Sequence, residues 1–307
     1  MFDVLGIGMA MTDKKIRFAP DNPVMQKVLP AKGRYARLGY EDFYALSDVP
    51  ALSIGAGGSV ANSLRDLGSL GVKSAFIGKI GQDKEGEYFR QSLLDCDVKP
   101  VLSVVPGGRS GSCVVLIHDD GEKTVCAKAL AAKTLEETDV DFNLLKLCRV
   151  IFIEGYLFDQ NPQLVKKLAA EACCCGCRIY LTLADAACVR DNKDLWLEML
   201  SSCDVLFGNE AEFAELSCTE NRLPPLCVMT KGAAGCAVWY DNKWQEFAAK
   251  PDVRVVNTNG AGDAFAAGFI RGLLTAAGIE ECVSSGNEVA AAVLSSEASY
   301  LLKNARE

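Results

Sequence analysis

With one histidine in 307 residues, His118, a Ser-His or Cys-His catalytic pair has little to build on. The neighbouring Asp119-Asp120-Gly121 is a turn signal, which predicts a surface loop for that histidine. Long apolar runs are missing too. Stretches such as Val150-Ile151-Phe152-Ile153 stop far short of the roughly 20 residues that a membrane span needs. No block of basic residues occurs, and the net charge is −8, so nucleic-acid phosphates would on average be repelled. The opening Met1-Phe2-Asp3 lacks a basic segment followed by an apolar one, so neither a signal nor a transit peptide is expected, and a cytoplasmic location is the default. Fourteen cysteines are present, scattered through apolar stretches, which suggests reduced thiols rather than a disulfide framework. The cluster Cys173-Cys174-Cys175-Gly176-Cys177 has no second Cys-x-x-Cys pair or histidine at zinc spacing, so apolar packing is expected for it.

Half of the residues are hydrophobic, enough for one large α/β domain over 1–307. The first strand is expected at 3–8 and is followed by an irregular stretch to about Pro50. A helix begins near Gly57, a strand covers 74–77, and a helix runs from about Glu85 to Leu94. Strand signals then dominate 98–125, with an Asp120-Gly121 hairpin turn. Segments of about 14–50 and 98–128 are expected to pair into a small β-sheet outside the main body, a lid. From Arg149 strands and helices alternate regularly, the pattern of a mainly parallel central sheet with helices on both faces. Asn161-Pro162 reads as a cap and first-turn pair. The last strong element is a helix over 261–277, closed by Gly278.

Two nucleotide signatures fail. Gly78-Lys79 lacks the spacing and the following Ser or Thr of a phosphate-binding P-loop, and Met11 stands where a dinucleotide fingerprint needs its third glycine. The strongest segment is Asn257-Thr258-Asn259-Gly260-Ala261-Gly262-Asp263-Ala264-Phe265. Small residues at 260–262 let backbone amides approach an anion at the positive end of a helix. Asp263 directly behind them could accept the proton of an attacking hydroxyl. A Gly-rich turn with an acid in the first helical turn would have the same sequence.

That segment resembles the C-terminal signature of the ribokinase/PfkB kinases, and Gly55-Ala56-Gly57-Gly58-Ser59-Val60-Ala61-Asn62 resembles their N-terminal one. The resemblance implies an α/β ribokinase-like fold and ATP-dependent phosphoryl transfer to a hydroxyl of a nucleoside or sugar. Asp263 would then be the base and Gly260, Ala261 and Gly262 the anion cradle. It implies an acceptor held by Asp13, Gly57, Gly58 and Asn62. Asn209-Glu210-Ala211-Glu212 resembles the segment that organises Mg²⁺, with Glu212 near the metal, and it is also a capping box. Thr230, Gly232 and Gly235 match an ATP-side turn, although a hairpin would look alike, and Asn287 falls where the family lines its adenine pocket. Lys123 sits where relatives extend a basic residue from the lid. The segments 154–159 and 181–185 look most like the adenosine-kinase-like branch, where Tyr156 could stack a base. The family's first signature Asp is Asn257 here, which puts K⁺ activation in doubt. Together with Met9, it leaves a catalytically silent nucleotide-binding relative as an alternative, alongside a ribose, fructose or sugar-phosphate kinase. Monomer and homodimer are both open, because the lid sheet could cap the site or pair with a second subunit.

Overall fold

Parallel strands whose residues are apolar on both faces need cover on both sides, and this requirement organises the chain. The computed structural model describes residues 1–302. The chain begins with β1 (Phe2–Ile7), β2 (Met11–Arg17), α1 (Pro23–Val28), α2 (Tyr40–Ser47) and β3 (Ser53–Ala56). It continues through α3 (Ser59–Ser69), β4 (Ser74–Gly81), α4 (Lys84–Leu94), β5 (Val98–Val105), β6 (Gly111–Ile117) and β7 (Lys123–Lys128). The regular alternation follows: β8 (Cys148–Glu154), α5 (Tyr156–Gln160), α6 (Pro162–Cys175), β9 (Arg178–Thr182), α7 (Ala186–Asp191), α8 (Lys193–Met199), β10 (Val205–Asn209) and α9 (Glu210–Leu216). β11 (Leu226–Thr230), β12 (Cys236–Tyr240), β13 (Lys243–Phe247), α10 (Ala261–Leu274) and α11 (Ile279–Leu294) complete it.

A nine-stranded sheet has the order β13-β12-β11-β10-β9-β8-β1-β4-β5. Its strands run parallel from β11 to β5, while β12 and β13 add an antiparallel edge. Side chains alternate across it. Leu5, Ile7, Ile151, Ile153, Ile179 and Leu181 face one core with α6 and α8, where Trp196 stacks on Phe158 with ring centroids 3.6 Å apart. Val4, Phe76, Val150, Phe152, Tyr180 and Phe207 face the other core, under α3 and α10. The Asn161 side chain caps α6 by accepting from the Leu164 N–H, as its sequence suggests.

A second sheet has the order β3-β2-β6-β7. One of its faces rests on α1 and α2 through Ile16, Val114, Leu116, Met25, Phe43 and Leu46. The β6–β7 hairpin turns at Asp120-Gly121 as expected. The composition of the small sheet differs from the segments expected for a lid. β5 pairs in parallel with β4 along its whole length and so belongs to the edge of the large sheet, while β3, beyond residue 50, joins the small one. Half-covered edge strands and lid strands carry the same alternating pattern, so sequence periodicity could not separate them.

Three further expectations change. Gly278 does not close α10; it is the N-cap of α11, and the chain turns at Ala276, with φ +58°. His118 is buried, stacked on Phe18, with Nε2 2.9 Å from the Thr124 hydroxyl. Cys173 and Cys174 are exposed at the end of α6 rather than packed inside, and only Cys177 of that cluster is buried. No helix among the described residues is long and apolar enough to cross a membrane.

Trp196 is fully buried. Trp196→Ala should therefore cost about 3–5 kcal/mol of stability through lost contacts and a cavity, read as a lower urea midpoint with an unchanged slope.

Candidate active site

In an open parallel sheet, ligands bind beyond the carboxyl ends of the strands, where loops and helix N-termini converge. Here that edge presents Gly8-Met9 after β1, Glu154 at the end of β8, Asn209 at the end of β10 and Thr230 at the end of β11. Two helices open over it at glycines with left-handed backbone: Gly58 before α3, with φ +88°, and Gly260 before α10, with φ +80°. A Cβ at Gly58 would stand 2.3 Å from the Met9 carbonyl oxygen, and one at Gly260 would stand 2.0 Å from that of Ser299. Both turns need glycine for conformation and for space.

Asp263, in the first turn of α10, reaches across to α3. Its Oδ1 accepts from the Ser59 hydroxyl at 2.6 Å and its Oδ2 from the Asn62 side-chain amide at 2.9 Å; its main-chain oxygen accepts from the Ser63 hydroxyl at 2.9 Å. Burial, the largest influence, pushes its carboxyl up to about 6. The two hydrogen bonds oppose that shift, the Glu212 charge adds to it, and Arg65 opposes it. The acid is therefore not the exposed helix-start residue that its Gly-rich setting suggests.

The acceptor residues read from the sequence come together. Asp13 lies on β2 between Gly55 and Cys113, and a Cβ on Gly57 would be 3.1 Å from its Oδ1. Burial raises the Asp13 carboxyl, with Arg65 and Lys15 opposing. Gly57 and Gly58 form the turn into α3, and Asn62 is one helical turn further on. The Asn62 oxygen is already taken, since it accepts from Arg65 Nη1 at 2.9 Å. Tyr156 opens α5 beside Glu154 and feels the charges of Asp185 and Glu212, yet it is 39% exposed.

Asp263, Gly262, Asn209, Glu212 and Thr230 line one cleft of about 170 Å³. The capping box at α9 is present: Asn209 Oδ1 accepts from the Glu212 N–H at 3.0 Å, and the Glu212 carboxylate accepts from the Asn209 N–H at 2.9 Å and its side-chain amide at 2.7 Å. Burial raises Glu212, with those same donors opposing. Thr230 donates its hydroxyl to the Gly208 carbonyl at 3.3 Å. Gly232 opens a short turn, and Gly235 has φ +98°, with no room for a Cβ beside the Phe247 carbonyl. Asn287 is not in this cleft. It lines a separate groove of about 340 Å³ with Phe247 and Val283, donating to the Ala248 carbonyl at 3.1 Å. Lys123 is exposed at the end of the small sheet opposite Asp13, because it registers through Ile117 with Arg17.

Several residues of the site carry weaker signals in the sequence. Ser59 sits within the glycine segment but looks like a cap. Glu154 is wholly buried, its Oε2 accepting from the Met9 N–H at 3.2 Å and the Val60 N–H at 3.3 Å, and burial pushes its carboxyl up to about 8. Arg65 and Asp66 are both fully buried on α3. Their one visible trace is a pair of adjacent opposite charges inside an otherwise covered helix.

Residues 34–304 match the pfkB family carbohydrate kinase. Among curated relatives, an adenosine kinase of Schizosaccharomyces pombe is 27% identical over 83% of this chain and 84% of its own length. An uncharacterized sugar kinase of Archaeoglobus fulgidus is 29% identical over 73% of this chain and 92% of its own. The crystal structure of adenosine kinase from Sinorhizobium meliloti superposes with a TM-score of 0.85 at 26% identity, covering 98% of this chain and 96% of that one. The ribokinase-like α/β architecture inferred from two short glycine segments thus holds over the whole described chain, and the protein belongs to the pfkB family of carbohydrate kinases.

Proposed function

We propose that this kinase transfers the terminal phosphoryl group of ATP to a hydroxyl of a nucleoside of the adenosine type, with Asp263 as general base. The observation that carries the reading is the position of the Asp263 carboxylate, between the Gly57-Gly58 turn that opens α3 and the Gly260-Gly262 turn that opens α10. One turn presents main-chain groups to an acceptor and the other to the transferring phosphate, so a single carboxylate lies next to both. A carboxyl held at about 6 is ionised at neutral pH and is still more basic than a free carboxylate.

Asp13, Gly57, Gly58 and Asn62 would flank the acceptor, with Tyr156 over its far side. Asn209, Thr230, Gly232 and Gly235 would line the donor phosphates, and Asn287 the groove for the base of ATP. For Mg²⁺ the donor set fits. Glu212 is a buried, hydrogen-bonded carboxylate facing the cleft, the hard oxygen ligand that such an ion takes with water. When bound, the ion would supply positive charge against the donor phosphates. Potassium dependence forms no part of the proposal. Asn257 is uncharged, and its amide is already engaged: Nδ2 donates to the Glu297 carbonyl beyond α11, and Oδ1 accepts from the Asn259 N–H. The likeness to the Archaeoglobus fulgidus protein keeps a sugar acceptor as the second reading.

The test is ATP turnover with Mg²⁺ against adenosine, other nucleosides, ribose and fructose. Stimulation by adenosine above the sugars supports the nucleoside reading, stimulation by a sugar alone moves the assignment to the second, and no acceptor-stimulated turnover rejects both. In the active pair, Asp263→Asn should lower kcat by roughly 10²–10⁴-fold. The wild-type kcat/KM should be flat above pH 7 and fall about tenfold per pH unit below about 6, where the base takes up a proton.

Stability should respond in the opposite sense. The folded-state value of Asp263 lies above its ordinary 3.8, so the stability linked to this group is full below the unfolded value and lost as pH rises through about 6. Asp263→Asn escapes that loss. Its melting temperature relative to wild type should therefore improve between pH 4 and pH 7.5, measured by circular dichroism.

A further inference from the structure

Arg65 is a fully buried guanidinium in a helix whose neighbours are mostly apolar. Withdrawing such a group from water costs several kcal/mol unless its donors and charge are matched. The matching here is specific. Nη1 donates to Asn62 Oδ1 at 2.9 Å and to the Gly57 carbonyl at 3.3 Å, and Nε donates to the Ser92 hydroxyl at 3.1 Å. The rings of Phe89 and Tyr300 lie 4.9 and 4.8 Å from the guanidinium carbon on its faces. Among the described residues Nη2 has no hydrogen-bond partner, so packing, Nη1 and Nε hold the group.

Asn62 stands between two groups with opposite demands. Arg65 has donors only and can meet only the amide oxygen, whereas ionised Asp263 has acceptors only and can meet only the amide nitrogen. A side-chain amide is nearly symmetric in shape, so the partners at its two ends decide which way it faces. We propose that Arg65 is a positioning residue for the phosphoryl transfer: it fixes the Asn62 amide with its N–H toward Asp263 and, through the Gly57 carbonyl, fixes the acceptor turn relative to that base. The proposal rests on the reading of Asp263 as the base.

Electrostatics supports the same role. Two charges act on Asp263: the Glu212 carboxylate on α9 disfavours its ionisation, and Arg65 on α3 opposes that. The other acids facing it, Glu154 on β8 and Asp66 on α3, are pushed up to about 8, burial being the largest cause and the Asp263 charge adding to it, and they stay protonated while Asp263 titrates. Removing Arg65 takes away both the geometric brace and the favourable charge.

The experiment compares Arg65→Met, Arg65→Lys and Asp263→Asn with wild type, with steady-state kinetics in both substrates from pH 5 to 9. Arg65→Met should lose kcat by about 10²-fold, the cost of a misplacement of about 1 Å, with less than a threefold change in KM for ATP. The acid limb of its kcat/KM profile should move up by about one pH unit, the lower end of what an adjacent opposite charge does. Arg65→Lys, which keeps the charge but not the fork, should hold the limb in place and restore kcat only in part. A purely structural role would lower the melting temperature of both variants without moving the limb. The proposal is overturned if folded Arg65→Met keeps the wild-type kcat and limb, or if Met and Lys displace the limb equally. Should Arg65→Met fail to give a cooperative melt, Arg65→Lys and Ser92→Ala decide. The latter frees Nε without changing charge, and both should lower kcat at a fixed limb, whereas wild-type kcat in both rejects the brace. Full activity in Asp263→Asn would instead reject the base itself, independently of what the Arg65 variants do.

Discussion

The contact between Asp263 and the first turn of α3 ties together parts of the chain some 200 residues apart, and the rest of the site is arranged around it. Two helices enter the same edge of the sheet with their N-termini side by side, so their partial positive ends add at one point. A carboxylate placed there gains from both ends and from two hydroxyl or amide donors, yet burial still leaves it reluctant to ionise. That balance gives the site a group which is charged at neutral pH without being a weak acceptor. A fully solvated aspartate would be ionised but too weak a base, and a fully isolated one would stay protonated, as the burial-driven values of about 8 at Glu154 and Asp66 illustrate.

Placement of this pair follows from the sheet. β1 lies between β4 and β8, third from the β5 edge, and the chain leaves β1 through Gly8 and Met9 directly under the α3 turn. Glu154 at the end of β8 then fastens both pieces, accepting from the Met9 N–H and the Val60 N–H. The Gly57-Gly58 turn is thereby attached to the buried end of an interior strand. The small sheet starts from the same place, since β2 departs from that Met9-Ala10 corner and carries Asp13.

Legibility in the sequence tracks how local each cause is. The alternation after Arg149, the Asn161 cap of α6 and the glycine-led turn into α10 depend on neighbours in sequence and were readable at once. The assignment of β5 depended on which sheet offered an open edge, a choice settled by β4 at the end of a crossover. His118 looked like a surface residue because of the turn after it, whereas its ring is decided by Phe18, a hundred residues away. Gly278 serves the start of α11 because Ala276 has already taken the left-handed position, an option that glycine-centred reading does not weigh. The motif segments stand out by their pattern, whereas the buried groups that contact them, such as Arg65 and Glu154, do not.

Arg65 shows why. In the linear sequence it is one charge in a helix and would be placed on a solvated face; its role exists only because Gly57, Asn62, Ser92, Phe89 and Tyr300 converge on it from three separate stretches of chain. The C-terminal segment takes part in this as well, since the Leu301 N–H donates to Asp66 at 2.6 Å and the Ser299 carbonyl fills the space beside Gly260. Residues 299–301 therefore touch the turn of α10 and the buried Arg65 and Asp66 of α3 together. A carboxylate hydrogen-bonded across two helices needs those helices held at a fixed separation, and here the segment that follows α11 closes that distance from behind.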